Sequence, residues 1–427
     1  MSLNIPSSNQ ERIVIIGAGF AGLRLAKKLS RRNFQVVLID RNNYHQFQPL
    51  YYQVAMAGLE PSSISFPLRK LFQHRHNVFI RICELQSISS ADKEIQTSLG
   101  SLSYDRLVLA LGAKTNFFGN KKIEEHAYSL KTVGEALTLR NSILQDYEAA
   151  LLETDYDERQ GLIDIVIVGG GPTGVELAGA LAEMKSHILP KDYHELNNKE
   201  VDIYLIQAGP DLLAGMSEKS SRKAEDFLKK IGVHVLKDTR VTEFDGKFVH
   251  TNTGQKIRTN KVIWAAGIVC PDIEGIPKDS RGRGNRIKVD QQCRVAHMDD
   301  VYAIGDLAVM EEEKYEYGHP QVAQVAIQQA DFLARKIIKK DNRVFEYKDK
   351  GSMATIGRNK AVCDLPFLSF TGFSAWVVWL FVHLFSLIGS KNKVIVFLNW
   401  IYGYLTYDQS LRLIIQAADK GSKKQEA

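Results

Sequence analysis

The hydrophobic pattern of the chain switches repeatedly between short unbroken apolar runs and helical periodicity. In "RIVIIGAGFAGLRLAKKL" (12–29) a β-branched run, Ile13 to Ile16, meets a glycine-rich turn and then an amphipathic helix; "FQVVLID" follows as a second apolar run. Runs of this length without polar alternation predict strands buried on both faces, as in parallel sheets. The same order returns in "IDIVIVGGGPTGVELAGALAE" (163–183), with its second strand "VDIYLIQAG" delayed by the insertion "KSHILPKDYHELNNKE". "YDRLVLALGA" (104–113), "NKVIWAAGI" (260–268) and "DDVYAIGDLA" (299–308) read as further strands that end in small residues. "HPQVAQVAIQQA" (319–330) reads as the first three turns of a helix started by Pro320, with Gln321, Gln324 and Gln328 on one face. Strands alternating with helices, twice over, predict an α/β fold with two Rossmann-like dinucleotide-binding domains. After residue 372 the pattern changes. "AWVVWLFVHLFSLI" (375–388) is strongly apolar but short for a membrane span, and "GSKNK" breaks it before "VIVFLNWIYGYLTY" (394–407) and an amphipathic "SLRLIIQAADK".

The glycine turns carry the first chemistry. Gly17-x-Gly19-x-x-Gly22, with Phe20 and Ala21 inside it, follows a strand and opens a helix. The first glycine allows the tight turn, the second lets backbone N–H groups approach a pyrophosphate, and the third lets helix and strand pack closely. Asp40, followed by Arg41, ends the next strand where a ribose-hydroxyl acceptor is expected. The second copy is Gly169-x-Gly171-x-x-Gly174, with Pro172 and Thr173 at the helix start and Gln207 in the place of Asp40. Two nucleotide folds imply two dinucleotides, and the natural pair is a flavin and a nicotinamide. Ala110 and Gly112, and Ala266 and Gly267, are expected where backbone passes close to a cofactor. Gly305-Asp306 ends the strand "VYAIG"; the carboxylate either accepts from a sugar-alcohol chain or caps a helix.

Composition narrows the picture without redirecting it. A length of 427 residues suggests two or three domains, and 44% hydrophobic with 24% charged residues is ordinary for a folded soluble protein. The net charge of +6 is too small to imply nucleic acid, and none is expected as a partner. Cys83, Cys270, Cys293 and Cys363 form no close pair, so no zinc site or dithiol centre is signalled, and no metal site is expected anywhere. "MSLNIPSSNQERIVIIGAG" shows no basic start followed by an apolar run, so no signal peptide is read and a cytoplasmic location is expected.

With these motifs in hand, the chain resembles the type II NADH dehydrogenases, single-subunit NADH:quinone oxidoreductases that pump no protons, within the two-dinucleotide-binding flavoproteins. The resemblance rests on "RNNYHQFQPLYYQVA" (41–55), "GGGPTGVELAGAL" (169–181), "YAIGD" (302–306), "AQVAIQQ" (323–329) and the aromatic tail from residue 372. It implies a glutathione-reductase-like fold, non-covalent FAD, NADH as co-substrate, and a membrane quinone, menaquinone or ubiquinone, as acceptor. It also implies that Ala323, Gln324, Ala326, Ile327 and Gln328 lie under the flavin and line the quinone pocket, with Ala323 and Gln324 also touching FAD. The physics agrees: a helix N-terminus favours negative charge on a reduced flavin, and amides donate to a quinone oxygen without placing an ion in an apolar pocket. Glu176 resembles the family's glutamate near nicotinamide and flavin, where it positions the nicotinamide or relays a proton; the plainer reading is compensation of the helix dipole. "NNYHQFQP" is expected to wrap flavin or quinone, with weak assignments to Tyr44 and Gln48. Lys360 reads as exposed.

Gln207 departs from the acid that repels the extra phosphate of NADPH, so NADH use with weakened discrimination against NADPH is expected. Three of the four tryptophans, Trp376, Trp379 and Trp400, sit in the tail together with Lys391, Lys393, Arg412, Lys420, Lys423 and Lys424. That composition suits helices lying in an anionic headgroup plane, and equally a homodimer interface. A peripheral, monotopic protein on the cytoplasmic face of a bacterial membrane follows from the resemblance. His383 reads as a hydrogen-bonded residue rather than a metal ligand. The expected domains are a discontinuous FAD-binding domain (1–118 and 290–345), an NAD(P)H-binding domain (119–289) and a C-terminal segment of strands and amphipathic membrane-binding helices (346–427). The rivals are a dithiol reductase, a sulfide:quinone oxidoreductase using Cys270 and Cys363, and an NADH-sensing flavoprotein of the apoptosis-inducing-factor-like group.

Overall fold

The run Arg12–Ile16 is the central strand of a five-stranded sheet, in the order 301–303, 106–109, 12–16, 35–40, 78–82, with every neighbouring pair parallel. Ile13, Val14 and Ile15 are fully buried, as a strand covered on both faces requires. Ile165–Val168 plays the same part in a second parallel sheet, ordered 233–236, 203–206, 165–168, 261–264. The doubly repeated α/β pattern is therefore what the chain builds. This computed structural model describes residues 2–340, 342–408 and 411–415. The helices that matter below are, in chain order, α1 (Phe20–Leu29), α2 (Tyr51–Ala55), α3 (Pro172–His187), α4 (Ala323–Lys339), α5 (Phe373–Ser386) and α6 (Ser390–Thr406).

Two units divide the chain. The first comprises 1–46, 65–116 and 268–350; the second comprises 47–64, 117–267 and 351–427. This differs from the expected boundaries in three places, each with a local cause. Segment 268–289 joins the first unit because Ile268–Val269 pairs antiparallel with Lys114–Thr115. Segment 47–64 joins the second because Trp400 Nε1 of α6 donates to Gln53 Oε1 (2.8 Å) and Asn392 donates to the Ser62 carbonyl (3.2 Å). The tail joins the second unit because its strand 352–355 reaches α3, with Thr355 N–H donating to Glu176 Oε1.

The tail opens with an antiparallel sheet of strands 352–355, 361–365 and 368–371, followed by α5 and α6. The break between those helices lies at Leu387–Gly389, so Lys391 and Lys393 sit in the first turn of α6 instead of a linker. Among the described residues no helix is long and apolar enough to cross a membrane. Of the expected amphipathic "SLRLIIQAADK", 411–415 carry no helix; Ser410, 416–420 and the lysines at 420, 423 and 424 lie outside the described residues.

Candidate functional site

In the first unit, the strand ends at Gly17 with φ +101°, and a Cβ there would stand 2.3 Å from the Ala110 carbonyl oxygen. Only a residue without a side chain fits that turn. A Cβ at Gly22 would come within 1.9 Å of the Gly17 carbonyl oxygen, so the third glycine lets α1 close onto the turn. Gly19 differs: it caps α1 in extended conformation, and nothing lies within 4 Å of its absent Cβ. The open space is at the position where the N–H groups starting α1 need room for a phosphate. Asp40 braces the loop, its Oδ2 accepting from Ala18 N–H (2.7 Å) and its Oδ1 from Asn42 N–H (2.7 Å). Burial raises its pKa and these two N–H groups oppose the rise. A carboxylate has about four acceptor sites, so ribose hydroxyls still find room on it.

His45 belongs to the same cradle, although sequence reasoning assigns it no individual role. Burial pushes its pKa down to about 4, so the ring is neutral and Nδ1–H donates to the Ala18 carbonyl (2.8 Å). The Phe20 ring meets it edge-on, with centroids 5.5 Å apart. His45 Nε2 is buried with no hydrogen-bond partner among the described residues, which leaves it an acceptor. The open Gly19 and this acceptor fit a dinucleotide. Arg41 is exposed, Ala110 is buried, and Gly112 has φ +69°.

The second unit repeats the cradle. A Cβ at Gly169 would stand 2.5 Å from the Ala265 carbonyl oxygen, one at Gly174 only 1.9 Å from that of Gly169, and Gly171 faces open space. Gln207 Oε1 accepts from Gly170 N–H (2.8 Å), the counterpart of the bond that Asp40 takes from Ala18. Its amide oxygen thus does the bracing that a carboxylate does in the first copy. Pro172 and Thr173 at the start of α3 are exposed, and Ala266 and Gly267 are half-buried.

The glutamine helix starts later than its sequence suggests. Val322 is extended and caps α4, which begins at Ala323, so Pro320 and Gln321 lie outside it. Gln321 instead donates to the Asp306 carbonyl (2.9 Å), which also accepts from the Cys270 thiol (3.3 Å). Asp306 caps no helix: the 3-10 turn Gly305–Leu307 is preceded by Ile304 at its cap position. Gln329, which sequence reasoning passed over, is 1% exposed and accepts from Gly305 N–H (2.7 Å), pinning the Gly305–Asp306 turn to α4. Gln324 Oε1 accepts from Lys350 N–H (3.0 Å). Gln328 pairs with Lys348 in both directions, accepting at 3.0 Å and donating at 2.9 Å. Ala326 is buried, Ala323 and Ile327 are half-buried, and exposed Gln48 begins a short turn, Gln48–Leu50, in the second unit.

Glu176 sits within α3, past its first turn, and is 7% exposed. It is therefore not there to offset a helix dipole. Its Oε1 accepts from Trp379 Nε1 (3.1 Å) and Thr355 N–H (3.4 Å). Burial dominates these bonds and pushes its pKa up to about 8. The carboxyl lines a cavity of about 510 Å³ whose walls include Tyr52, Gln53, Trp376, Trp379 and Trp400. Gln53 bridges two of them, donating to Tyr52 Oη (2.9 Å) and accepting from Trp400. His383 stacks on Trp379 (centroids 4.0 Å), its Nδ1–H donates to the Trp379 carbonyl, and burial lowers its pKa to about 4. Tyr44 and Lys360 are half-buried.

The family pattern described as pyridine nucleotide-disulphide oxidoreductase matches residues 11–330, and the NDH2 C-terminal domain matches 350–406. The Type II NADH:quinone oxidoreductase Ndh of Mycobacterium tuberculosis is 34% identical over 416 residues, covering 93% of this chain and 89% of the relative. The chain belongs to the type II NADH:quinone oxidoreductase family. A second mycobacterial member, NdhA, is 34% identical over 413 residues, covering 92% of this chain and 86% of its own length. NDH2 from Plasmodium falciparum, solved with NADH, shares the fold at TM-score 0.87 and 22% identity, covering 96% of this chain and 100% of its own. The sulfide:quinone oxidoreductase of Aquifex aeolicus shares the fold at TM-score 0.72 and 19% identity, covering 93% and 96%. The rival reading that uses Cys270 and Cys363 as reactive thiols is disfavoured by their setting. All four cysteines are buried thiols, and burial pushes Cys270 up to about 12 and raises Cys363.

The two cradle glycines separate fold from ligand. G22A forces a Cβ into the Gly17 carbonyl and destabilises the FAD-free protein by about 1–3 kcal/mol or more. G19A leaves FAD-free stability within about 1 kcal/mol but weakens FAD binding about tenfold or more. Calorimetry and flavin titration check both, and equal effects in the two variants contradict the assignment. Glu176 sets a pH dependence. Its pKa is raised from 4.5 to about 8, so across that window the folded chain holds a proton that the unfolded chain has released. Stability therefore falls as pH rises through the window. E176Q removes this slope, and its melting temperature drops less than the parent's between pH 5 and pH 8.

Proposed function

We propose that this protein oxidises NADH through bound FAD and passes the electrons to a membrane quinone, without moving protons across the membrane. The observation that carries the reading is the pair of dinucleotide cradles, one per unit, each closed at its first and third glycines and open at its second. FAD, held non-covalently by the first cradle, supplies the two-electron redox chemistry. Gly19 and the N–H groups opening α1 hold its pyrophosphate, Asp40 its ribose, and Asp306 its sugar-alcohol chain. The second cradle receives NADH, with Gly171, Thr173 and Gln207 around its phosphates and ribose. Glu176, protonated near neutral pH, keeps a transferable proton in an apolar cavity without the cost of a buried charge. Ala323 and Ala326 leave room for a flat ring, and Gln324 and Gln328 offer it amide N–H groups.

The outer faces of α5 and α6 support a peripheral membrane position. Val382, Phe385, Val394, Leu398 and Tyr402 are exposed, as is Phe367 of the preceding hairpin. With Lys391 and Lys393 nearby in sequence, these residues suit insertion into an anionic interface, which brings the protein to its water-insoluble acceptor. We place this surface on the cytoplasmic face of a bacterial membrane. A homodimer covering another part of the tail is compatible with it.

An anaerobic titration tests the reading. NADH bleaches the flavin, and a menaquinone or ubiquinone analogue restores its absorbance; bleaching with no recovery by either quinone class overturns it. The better acceptor identifies the quinone. Because Gln207 braces the loop through its oxygen alone, Q207E keeps that bond and adds a charge that repels the NADPH phosphate. The ratio of kcat/KM for NADH over NADPH rises about tenfold or more in this variant, read from steady-state kinetics. The triple variant F367S/F385S/L398S removes exposed apolar side chains whose burial is worth about 1.5–3 kcal/mol each when complete. Partitioning onto anionic vesicles weakens about a hundredfold in a sedimentation assay, while turnover with a short-chain soluble quinone persists.

A further inference from the structure

The reaction NADH + H⁺ + quinone → NAD⁺ + quinol moves two electrons and one proton as hydride and takes the second quinol proton from solvent. Glu176 is 7% exposed and lines a cavity of about 510 Å³, so that proton reaches it by way of the cavity. We propose that His187 and Glu183 are proton-relay residues that carry it along the cavity face of α3 to Glu176. The inference rests on the quinone-reductase reading above.

Glu176, Ala180, Glu183 and His187 are spaced i, i+4, i+7 and i+11 on α3, and all four line the same cavity. At 1.5 Å of rise per residue, Glu183 stands about 10 Å and His187 about 16 Å along the axis from Glu176. Exposure is graded in the same order: His187 is exposed, Glu183 half-buried and Glu176 buried. The small Ala180 leaves the stretch between the carboxyls unblocked, and about 510 Å³ is ample for a file of waters.

One turn holds both carboxyls. Thr355 N–H donates to Glu176 and Arg358 N–H to Glu183, in each case at Oε1. Trp379 also donates to Oε1 of Glu176, which leaves Oε2 of each carboxyl for exchange with water. The surroundings keep each group able to take and release a proton. Burial raises Glu183, opposed by the Arg358 N–H bond and by the charges of Arg358 and Lys360. Burial, Arg358 and Lys191 lower His187, so the ring is a neutral base near neutral pH. Tyr52, whose phenol burial holds far above its ordinary range, stays protonated, and Asp408 lines the same cavity. The proton passes from water to His187, through cavity water to Glu183 and on to Glu176. Each station gives up one proton as it receives the next.

E183Q tests this because the amide keeps the Oε1 acceptor for Arg358 yet cannot exchange a proton. In the FAD-loaded enzyme, stopped-flow reduction by NADH stays within about twofold while reoxidation by a soluble quinone slows about tenfold with a larger solvent isotope effect. E183D restores part of that rate. H187A, on the exposed end, slows reoxidation several-fold in dilute buffer, and added imidazole restores it; this variant decides the matter if E183Q fails to fold. An infrared titration of the holoenzyme gives a readout apart from turnover: a protonated-carboxyl band additional to that of Glu176, with its midpoint above the ordinary carboxyl range, that is missing in E183Q. Unchanged reoxidation in both variants overturns the relay, as does an equal loss in both half-reactions, which marks a structural role. A parent enzyme that reduces no quinone refutes the functional reading instead.

Discussion

Charge is expensive to hold in an apolar cavity, and that cost decides the chemistry of the second unit. Glu176 lies among three tryptophans and a buried tyrosine, and its two hydrogen-bond donors, Trp379 N–H and Thr355 N–H, are both uncharged. Two neutral donors do not compensate for lost hydration, so the group keeps its proton near neutral pH. A cationic partner would have had the opposite effect, fixing the carboxylate as an ion and removing its use as a proton donor. The cavity therefore stabilises a neutral acid, and Gln53, Tyr52 and Trp400 extend the same logic with polar groups that carry no charge.

What could be read from the sequence was what is local in it. The third glycines were legible because the contacts that demand them close within a few residues, Gly22 against Gly17 and Gly174 against Gly169, whereas the first glycines answer to the distant carbonyls of Ala110 and Ala265. The buried strands were legible because coverage on both faces leaves no polar alternation. Gln207 could be recognised as the counterpart of Asp40, but its bracing of Gly170 shows that the position serves the loop as well as the ligand. The start of α4 misled because Pro320 is a good first helical residue; the chain instead extends through Val322 and gives Gln321 to the Asp306 carbonyl. Gln329 and Glu176 were illegible in their partners. The Gly305 N–H is 24 residues from Gln329, and Trp379 is 203 residues from Glu176.

The tail was legible in composition and not in geometry. A helix with one wet face shows polar residues at helical spacing, whereas α5 is apolar almost all round. Ala375 and Trp379 are buried, and Val382 and Phe385 are exposed on the same helix. Such a helix has an aromatic cavity on one side and, under the membrane reading, lipid on the other. A hydrophobic run of this kind mimics a membrane span in sequence, and only its 14 residues betray that it is not one.

The glutamines of α4 show how a structure can sharpen a motif. An amide side chain offers one oxygen and one nitrogen, and which end points where is ordinarily a matter of assignment. Here the partners settle it. The backbone N–H groups of Lys348 and Lys350 can only donate, so the oxygens of Gln328 and Gln324 must face them. The nitrogens are engaged as well, Gln328 donating to the Lys348 carbonyl (2.9 Å) and Gln324 to Asp349 Oδ1 (3.4 Å), and an amide NH₂ carries two hydrogens. A quinone presents carbonyl oxygens, which can only accept. Under the proposed function, segment 348–350 thus orients both amides, and a carboxylate at either position would lose the bond to the Lys348 carbonyl or to Asp349 and repel the quinone oxygen.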